Sequence, residues 1–241
     1  MIPLNSQELT GRASTHVLEL PGHATARLHP QVHEPLAQLR EAAAAAGIEL
    51  EVVSGFRDFE RQSGIWNGKF RGERPALDRS GQPIEMGKLD EAQRVRSILI
   101  WSALPGASRH HWGTDVDVAD GRVMAAGYSP RLEVAEYRRG GPFAALSEWL
   151  GENMRRFGFY RPYTRRGRGV QPEPWHLSYA PVARVALARM STALLEQAIA
   201  GSGIDGEAEI LARLPAIRAR YVLDVDAPPR MRSRYARVSR R

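Results

Sequence analysis

Apolar residues recur at helical spacing over residues 30–46, where Val32, Leu36, Leu39 and Ala43 share one face and Gly47 stands where a helix stops. Residues 48–53 instead alternate apolar and polar side chains, the mark of a half-buried strand, and run straight into Ser54-Gly55-Phe56-Arg57. Asp58 is suited to cap a following helix that reaches Phe70. Residues 72–87, rich in turn formers and charge, read as a long surface loop. Further helices are predicted over 90–103 and 142–157, the second with Phe143, Leu146, Trp149, Leu150 and Met154 along one side. Short strands are predicted at 114–119 and at 175–179, the latter leaving a proline-rich turn over 171–174. Residues 182–200 predict an apolar helix ended by Gly201, Ser202 and Gly203; residues 207–218 predict another, and 221–225 a terminal strand. Strands and helices mix without βα alternation, and no internal repeat is present, so the class is α+β.

A chain of 241 residues suits one domain with a substantial core and an appended subdomain. No apolar run approaches the roughly 18 residues of a membrane span. The opening segment MIPLNSQELTGR lacks the basic start and apolar centre of a secretory signal, which reads as cytoplasmic unless another export route or prior cleavage applies. The absence of cysteine removes disulfides, thiolate nucleophiles and Cys-ligated zinc together. The formal charge of +7 rests on arginine, with Lys69 and Lys88 the only lysines, and it favours anionic partners. No nucleic-acid-binding motif accompanies that charge. Much of the excess lies in residues 229–241, which read as a basic, disordered and solvated tail.

The chemistry concentrates in segments far apart in sequence. Ser108-Arg109-His110-His111-Trp112-Gly113-Thr114-Asp115-Val116-Asp117 holds two histidines and two aspartates, side chains that suit a zinc site as well as a polar loop entering a strand. Glu173-Pro174-Trp175-His176 pairs a possible general base with a further ligand, although such a pair also occurs on ordinary surface turns. Pro172 and Pro174 rule out the helical H-E-x-x-H arrangement there. Arg57 at a strand end, with Gln62 in the next helix, suits carboxylate binding or an exposed arginine equally. Trp66, Trp112 and Trp175 are candidate pocket walls or plain core.

In order, SGFR, then S-x-H-x-x-G-x-x-x-D, then E-x-W-H resemble the LAS metallopeptidases, the lysostaphin, D-Ala-D-Ala peptidase and hedgehog group. The resemblance is closest to the VanY-type D-alanyl-D-alanine carboxypeptidases and spans residues 49–179. It implies a small antiparallel sheet packed with helices, in a peptidase domain over residues 1–181 with an N-terminal arm; the element pattern adds a helical extension over 182–228. It further implies one zinc ion per chain bound by His110, Asp117 and His176, with Glu173 as catalytic acid/base and Arg57 on the substrate or its oxyanion. Gln62 and Ser108 match positions that contact the substrate's terminal residue. The implied substrates are peptidoglycan stem peptides, cleaved by a monomer at the terminal D-Ala in D,D- or L,D-carboxypeptidase fashion, and they would place the protein in the periplasm or wall. Alternatives within the group are an endopeptidase of phage-lysin type and a hedgehog-like module that binds zinc without catalysis.

Two residues complicate the pattern. The family often has a small residue where this chain has Asp115, which on a strand would face the same way as Asp117 and either support the site or narrow it. Alternation backwards from Asp117 selects His111, not His110; the family spacing selects His110, with Gly113 permitting a kink between them.

Overall fold

The computed structural model describes residues 3–167 and 169–228, apart from the side chains of residues 24 and 25. The expected basic tail over 229–241 lies outside the described residues. In chain order the regular elements are α1 (Ser6–Leu9), β1 (Leu18–Leu20), β2 (His23–Leu28), α2 (Pro30–Ala45), β3 (Leu50–Ser54), α3 (Phe59–Phe70) and α4 (Glu91–Ile98). They continue with β4 (Asp115–Asp120), α5 (Gly121–Ala125), α6 (Ala144–Asn153), β5 (Phe159–Tyr160), β6 (His176–Tyr179), α7 (Ala180–Arg189), α8 (Thr192–Ile199) and α9 (Glu207–Ile217). Among the described residues no helix is long and apolar enough to cross a membrane.

Local chemistry explains the element starts. Pro30 occupies the first turn of α2, where its missing N–H is harmless, and Val32, Leu36, Leu39 and Ala43 are buried on the predicted face. Asp58 caps α3 by accepting from the Arg61 backbone at 2.8 Å. Asp90 and Gln93 form a reciprocal capping box on α4.

Four strands form an antiparallel sheet in the order β3-β4-β6-β5, and β1 and β2 form a separate hairpin. One apolar cluster packs α2 and α6 on this sheet, through Leu36, Leu39, Val116, Leu150, Phe159 and Leu177. A second joins α3 and α4 to α7–α9 through Trp66, Ile98, Trp112, Leu195, Ile199 and Ile210. The C-terminal helices thus share a core with the helix that follows the SGFR segment.

The structure departs from the sequence reading in several places. The helix predicted over 90–103 ends at Ile98, after which the Ile100 and Trp101 backbone N–H groups donate three residues back, in turns rather than helix; Pro105 disfavours helical conformation at Leu104. The helix predicted over 182–200 is two, because Met190 leaves helical conformation at φ −72°, ψ 77° and Ser191 recaps α8 at Leu194. Apolar spacing hid the break, since Met190 and Leu195 enter the same cluster on either side of it. Residues predicted as a terminal strand instead join a π-helical turn, Arg218–Leu223, that continues α9 after the internal Pro215. Loop 72–87 is pinned by buried Ala76 and Met86 and by Trp101 Nε1–H donating to the Asp78 carbonyl at 2.8 Å.

Candidate active site

Sheet register assembles the site. Asp117 on β4 pairs with His176 on β6, and Asp115 with Ser178. On the other side of β4, Ser54 pairs with Asp117, so the SGFR segment leaves β3 beside the same carboxylate. His110 comes from a 3₁₀ turn, Arg109–Trp112, that precedes β4. That turn decides between the adjacent histidines: strand alternation stops at Asp115, and Gly113 adopts φ 65°. A Cβ there would stand 2.4 Å from Val17 Cγ1, so glycine is required for both backbone and space. His110 turns into the site. His111 turns away into the protein, its Nδ1 2.6 Å from the Arg57 carbonyl and its Nε2 accepting from Gly106 N–H at 3.1 Å.

One nitrogen of His110, one of His176 and an Asp117 oxygen all lie within 4.8 Å of one another. His110 Nδ1 sits 2.8 Å from the Gly55 carbonyl, which can only accept, so Nδ1 carries a proton and Nε2 presents its lone pair 3.4 Å from Asp117 Oδ2. His176 is oriented in the opposite sense. Its Nε2 donates to Asp115 Oδ1 at 2.9 Å, and its Nδ1 lies 3.4 Å from Asp117 Oδ1 and 3.2 Å from Glu173 Oε2.

The electrostatics favour a cation. Three carboxylates surround His176; burial would lower its pKa, but the hydrogen bond to Asp115 and the close Asp117 and Glu173 carboxylates raise it well above the ordinary value. Burial would raise the Asp117 carboxyl, yet His110 and His176 hold it far below the usual carboxylate range. Asp117 Oδ1 is buried without a hydrogen-bond partner among the described residues, as suits an atom reserved for a metal. Two imidazole nitrogens and one carboxylate oxygen form a donor set that suits zinc with an open position.

Asp115 supports this arrangement from beneath. It is fully buried, and its Oδ1 also accepts from Arg109 Nε at 2.8 Å, while Oδ2 accepts from Thr114 Oγ1 at 2.5 Å and Ser178 Oγ at 3.2 Å. Arg109 continues to Tyr160 Oη at 3.0 Å. The carboxylate that departs from the family pattern therefore serves a neighbouring imidazole and a buried arginine.

All seven site residues expected from sequence line a single cleft of about 850 Å³. The turn bearing Glu173 is strapped at both ends: Gln171 N–H donates to the Ile100 carbonyl at 2.9 Å, and Glu173 N–H to the Tyr163 carbonyl at 3.1 Å. Arg57 Nη1 donates to Gln62 Oε1 at 2.8 Å and Nη2 to Ser54 Oγ at 3.2 Å. Gln62 Nε2 donates to the Ala103 carbonyl at 2.7 Å, so both ends of that amide are engaged. Trp175 walls the cleft, whereas Trp66 and Trp112 are wholly core. Lys69, Arg74, Trp101 and Tyr163 also line it and were not singled out from sequence. Helical spacing from Gln62 to Lys69 was the available signal for the lysine; Arg74, Trp101 and Tyr163 sit in irregular segments that carry none.

The family model described as VanY, D-alanyl-D-alanine carboxypeptidase, matches residues 25–182. The chain belongs to the VanY family. The match runs from β2 into α7 and takes in every residue that the cleft brings together. Among VanY-family relatives, a D-alanyl-D-alanine carboxypeptidase of Enterococcus faecalis is 32% identical over 160 residues, 65% of this chain. This chain spans about half of that enzyme, 49%. An uncharacterized protein of Haemophilus influenzae is 40% identical over 122 residues, 50% of this chain and 93% of that protein. Two solved VanY structures share the α+β fold at TM-score 0.52 and 25% identity. VanYB in complex with D-Alanine-D-Alanine covers 72% of this chain and 82% of its own. A vancomycin resistance D,D-pentapeptidase VanY in complex with Zn(II) covers 76% and 85%. The family and the fold class read from the three motifs are both shown.

Proposed function

We propose that this VanY-family chain is a zinc-dependent carboxypeptidase that releases the terminal D-Ala of peptidoglycan stem peptides. The observation that carries the reading is the convergence of His110 Nε2, His176 Nδ1 and Asp117 within 4.8 Å, with Glu173 Oε2 3.2 Å from His176 Nδ1. Held by those three side chains, a zinc ion would lower the pKa of a water and polarise the scissile carbonyl. Glu173 Oε2 then takes the proton of the attacking water and returns it to the leaving amine. Arg57, half-buried beside the site and fixed by Gln62 and Ser54, stabilises negative charge developing on the carbonyl oxygen or holds the substrate carboxylate. Gln62, engaged at both ends, acts through Arg57, and Ser108 is left to contact the terminal residue.

The test is D-Ala release from muropeptides with pentapeptide and tetrapeptide stems, assayed with a chelator and after zinc is restored. Release from the pentapeptide marks a D,D-carboxypeptidase and from the tetrapeptide an L,D-carboxypeptidase. Cleavage of cross-links alone, or no metal-dependent release, would overturn the reading.

A further inference from the structure

Lys69 lies on α3 two turns beyond Gln62, and Gln62, Ile65 and Lys69 share the helix face that walls the cleft. The half-buried Nζ donates to Ser102 Oγ at 2.7 Å, its one hydrogen bond among the described residues. Arg74 joins the same wall by laying its side chain over Gly68, where a Cβ would meet Arg74 Cδ at 3.1 Å. Neither cation has a carboxylate within ion-pair distance among the described residues.

That pairing is unusual for an ammonium partly withdrawn from water. A neutral hydroxyl recovers little of what removal from water costs a charge. Burial lowers the Lys69 pKa, attraction from Glu173 opposes that, and repulsion from Arg57 and Arg74 adds to it. Glu173 is placed beside His176, so it does not complete the lysine's coordination. Two of the three N–H donors of Nζ have no protein acceptor among the described residues, in a cleft that Arg74, Asp117 and Glu173 also line.

We propose that Lys69, with Arg74 beside it, is a carboxylate subsite for the stem peptide, additional to Arg57 and resting on the peptidase reading above. Two groups of a stem peptide offer that chemistry: the free carboxylate of the terminal residue, and the side-chain carboxylate of a meso-diaminopimelate in third place.

The experiment measures peptide affinity by titration calorimetry on the full-length, zinc-loaded chain carrying Glu173→Gln, alone and with Lys69→Met or Lys69→Arg. The probes are diacetyl-L-Lys-D-Ala-D-Ala and its C-terminal amide, and pentapeptides with L-Lys or meso-diaminopimelate in third place. Lys69→Met should weaken binding of one carboxylate-bearing probe about 10- to 100-fold, in line with a charge-assisted hydrogen bond. The matched probe without that carboxylate should be unaffected, and Lys69→Arg should restore most of the loss. An effect confined to the acid-versus-amide pair identifies the terminal carboxylate; one confined to the other pair identifies diaminopimelate. Equal losses for both members of each pair, or none, would overturn the subsite. D-Ala release by the unsubstituted chain tests the peptidase reading separately, since the calorimetry needs no turnover.

Discussion

Asp115 Oδ1 accepts the Nε2 proton of His176 at 2.9 Å, and this contact leaves Nδ1 as the nitrogen that faces Asp117 and Glu173. The same oxygen accepts from Arg109 Nε at 2.8 Å, so one carboxylate orients a ligand candidate and neutralises a buried arginine. Burial would raise the Asp115 carboxyl, but Arg109 and His176 hold it far below its ordinary range. Asp115→Asn should therefore weaken zinc binding about 10- to 100-fold, as loss of a partner behind a metal ligand does. It should also cost about 3–5 kcal/mol of stability by stranding Arg109. Zinc competition with a chromogenic chelator and urea unfolding measure the two effects. Unchanged zinc affinity would reduce Asp115 to a structural ion-pair partner.

Glu173 stands outside the His110, Asp117 and His176 donor set, with its Oε2 3.2 Å from His176 Nδ1. Glu173→Gln is nearly isosteric and should retain one zinc per chain while turnover falls about 10²- to 10⁴-fold. Elemental analysis with D-Ala release on the same preparation distinguishes this from metal loss. Near-normal turnover would remove Glu173 as the base.

Much of this was legible because it is local. Helix α2 could be read from Val32, Leu36, Leu39 and Ala43, and α3 from Asp58, since periodicity and capping act within a few residues. The three motifs could be read because each is a short run of rare residue types in a fixed order. What sequence could not supply was pairing: the Asp117–His176 register joins residues far apart, and nothing local encodes it. The β1–β2 hairpin escaped notice because its strands are short and register shifts between Glu19 and Leu20. Alternation pointed to His111, against the family spacing that selected His110, and it fails there because a 3₁₀ turn, not a strand, carries residues 109–112. Lys69 was noticed as one of two lysines, but its place in the cleft depends on how α3 packs.

The adjacent histidines give a direct comparison. His110→Ala removes a nitrogen from the proposed zinc set, so most bound zinc should be lost, and His176→Ala should behave alike. His111→Ala leaves that set intact and should keep its zinc, while losing the two hydrogen bonds that tie the Arg57 carbonyl and Gly106 to the turn. Metal content of the three variants after gel filtration is the measurement. Zinc lost from His111→Ala but kept by His110→Ala would exchange their roles.

His111 also predicts how stability responds to acid. Burial pushes its pKa down to about 3, and its hydrogen bonds explain why the neutral form persists: Nδ1 donates to the Arg57 carbonyl, so Nε2 must accept from Gly106 N–H. A second proton on Nε2 would set donor against donor. Between pH 6.5 and about 3 the unfolded chain binds a proton here that the folded chain refuses, so stability from this group is complete above pH 6.5 and falls on acidification. The slope inside that window is roughly 1.4 kcal/mol per pH unit for one proton. His111→Gln removes the titration, so the variant should be the less stable protein at pH 7 yet lose less between pH 7 and pH 5. Urea unfolding of both chains at the two pH values, with chelator present so that metal release does not contribute, gives the comparison. A variant that loses stability as steeply as the parent would place the acid sensitivity in another group.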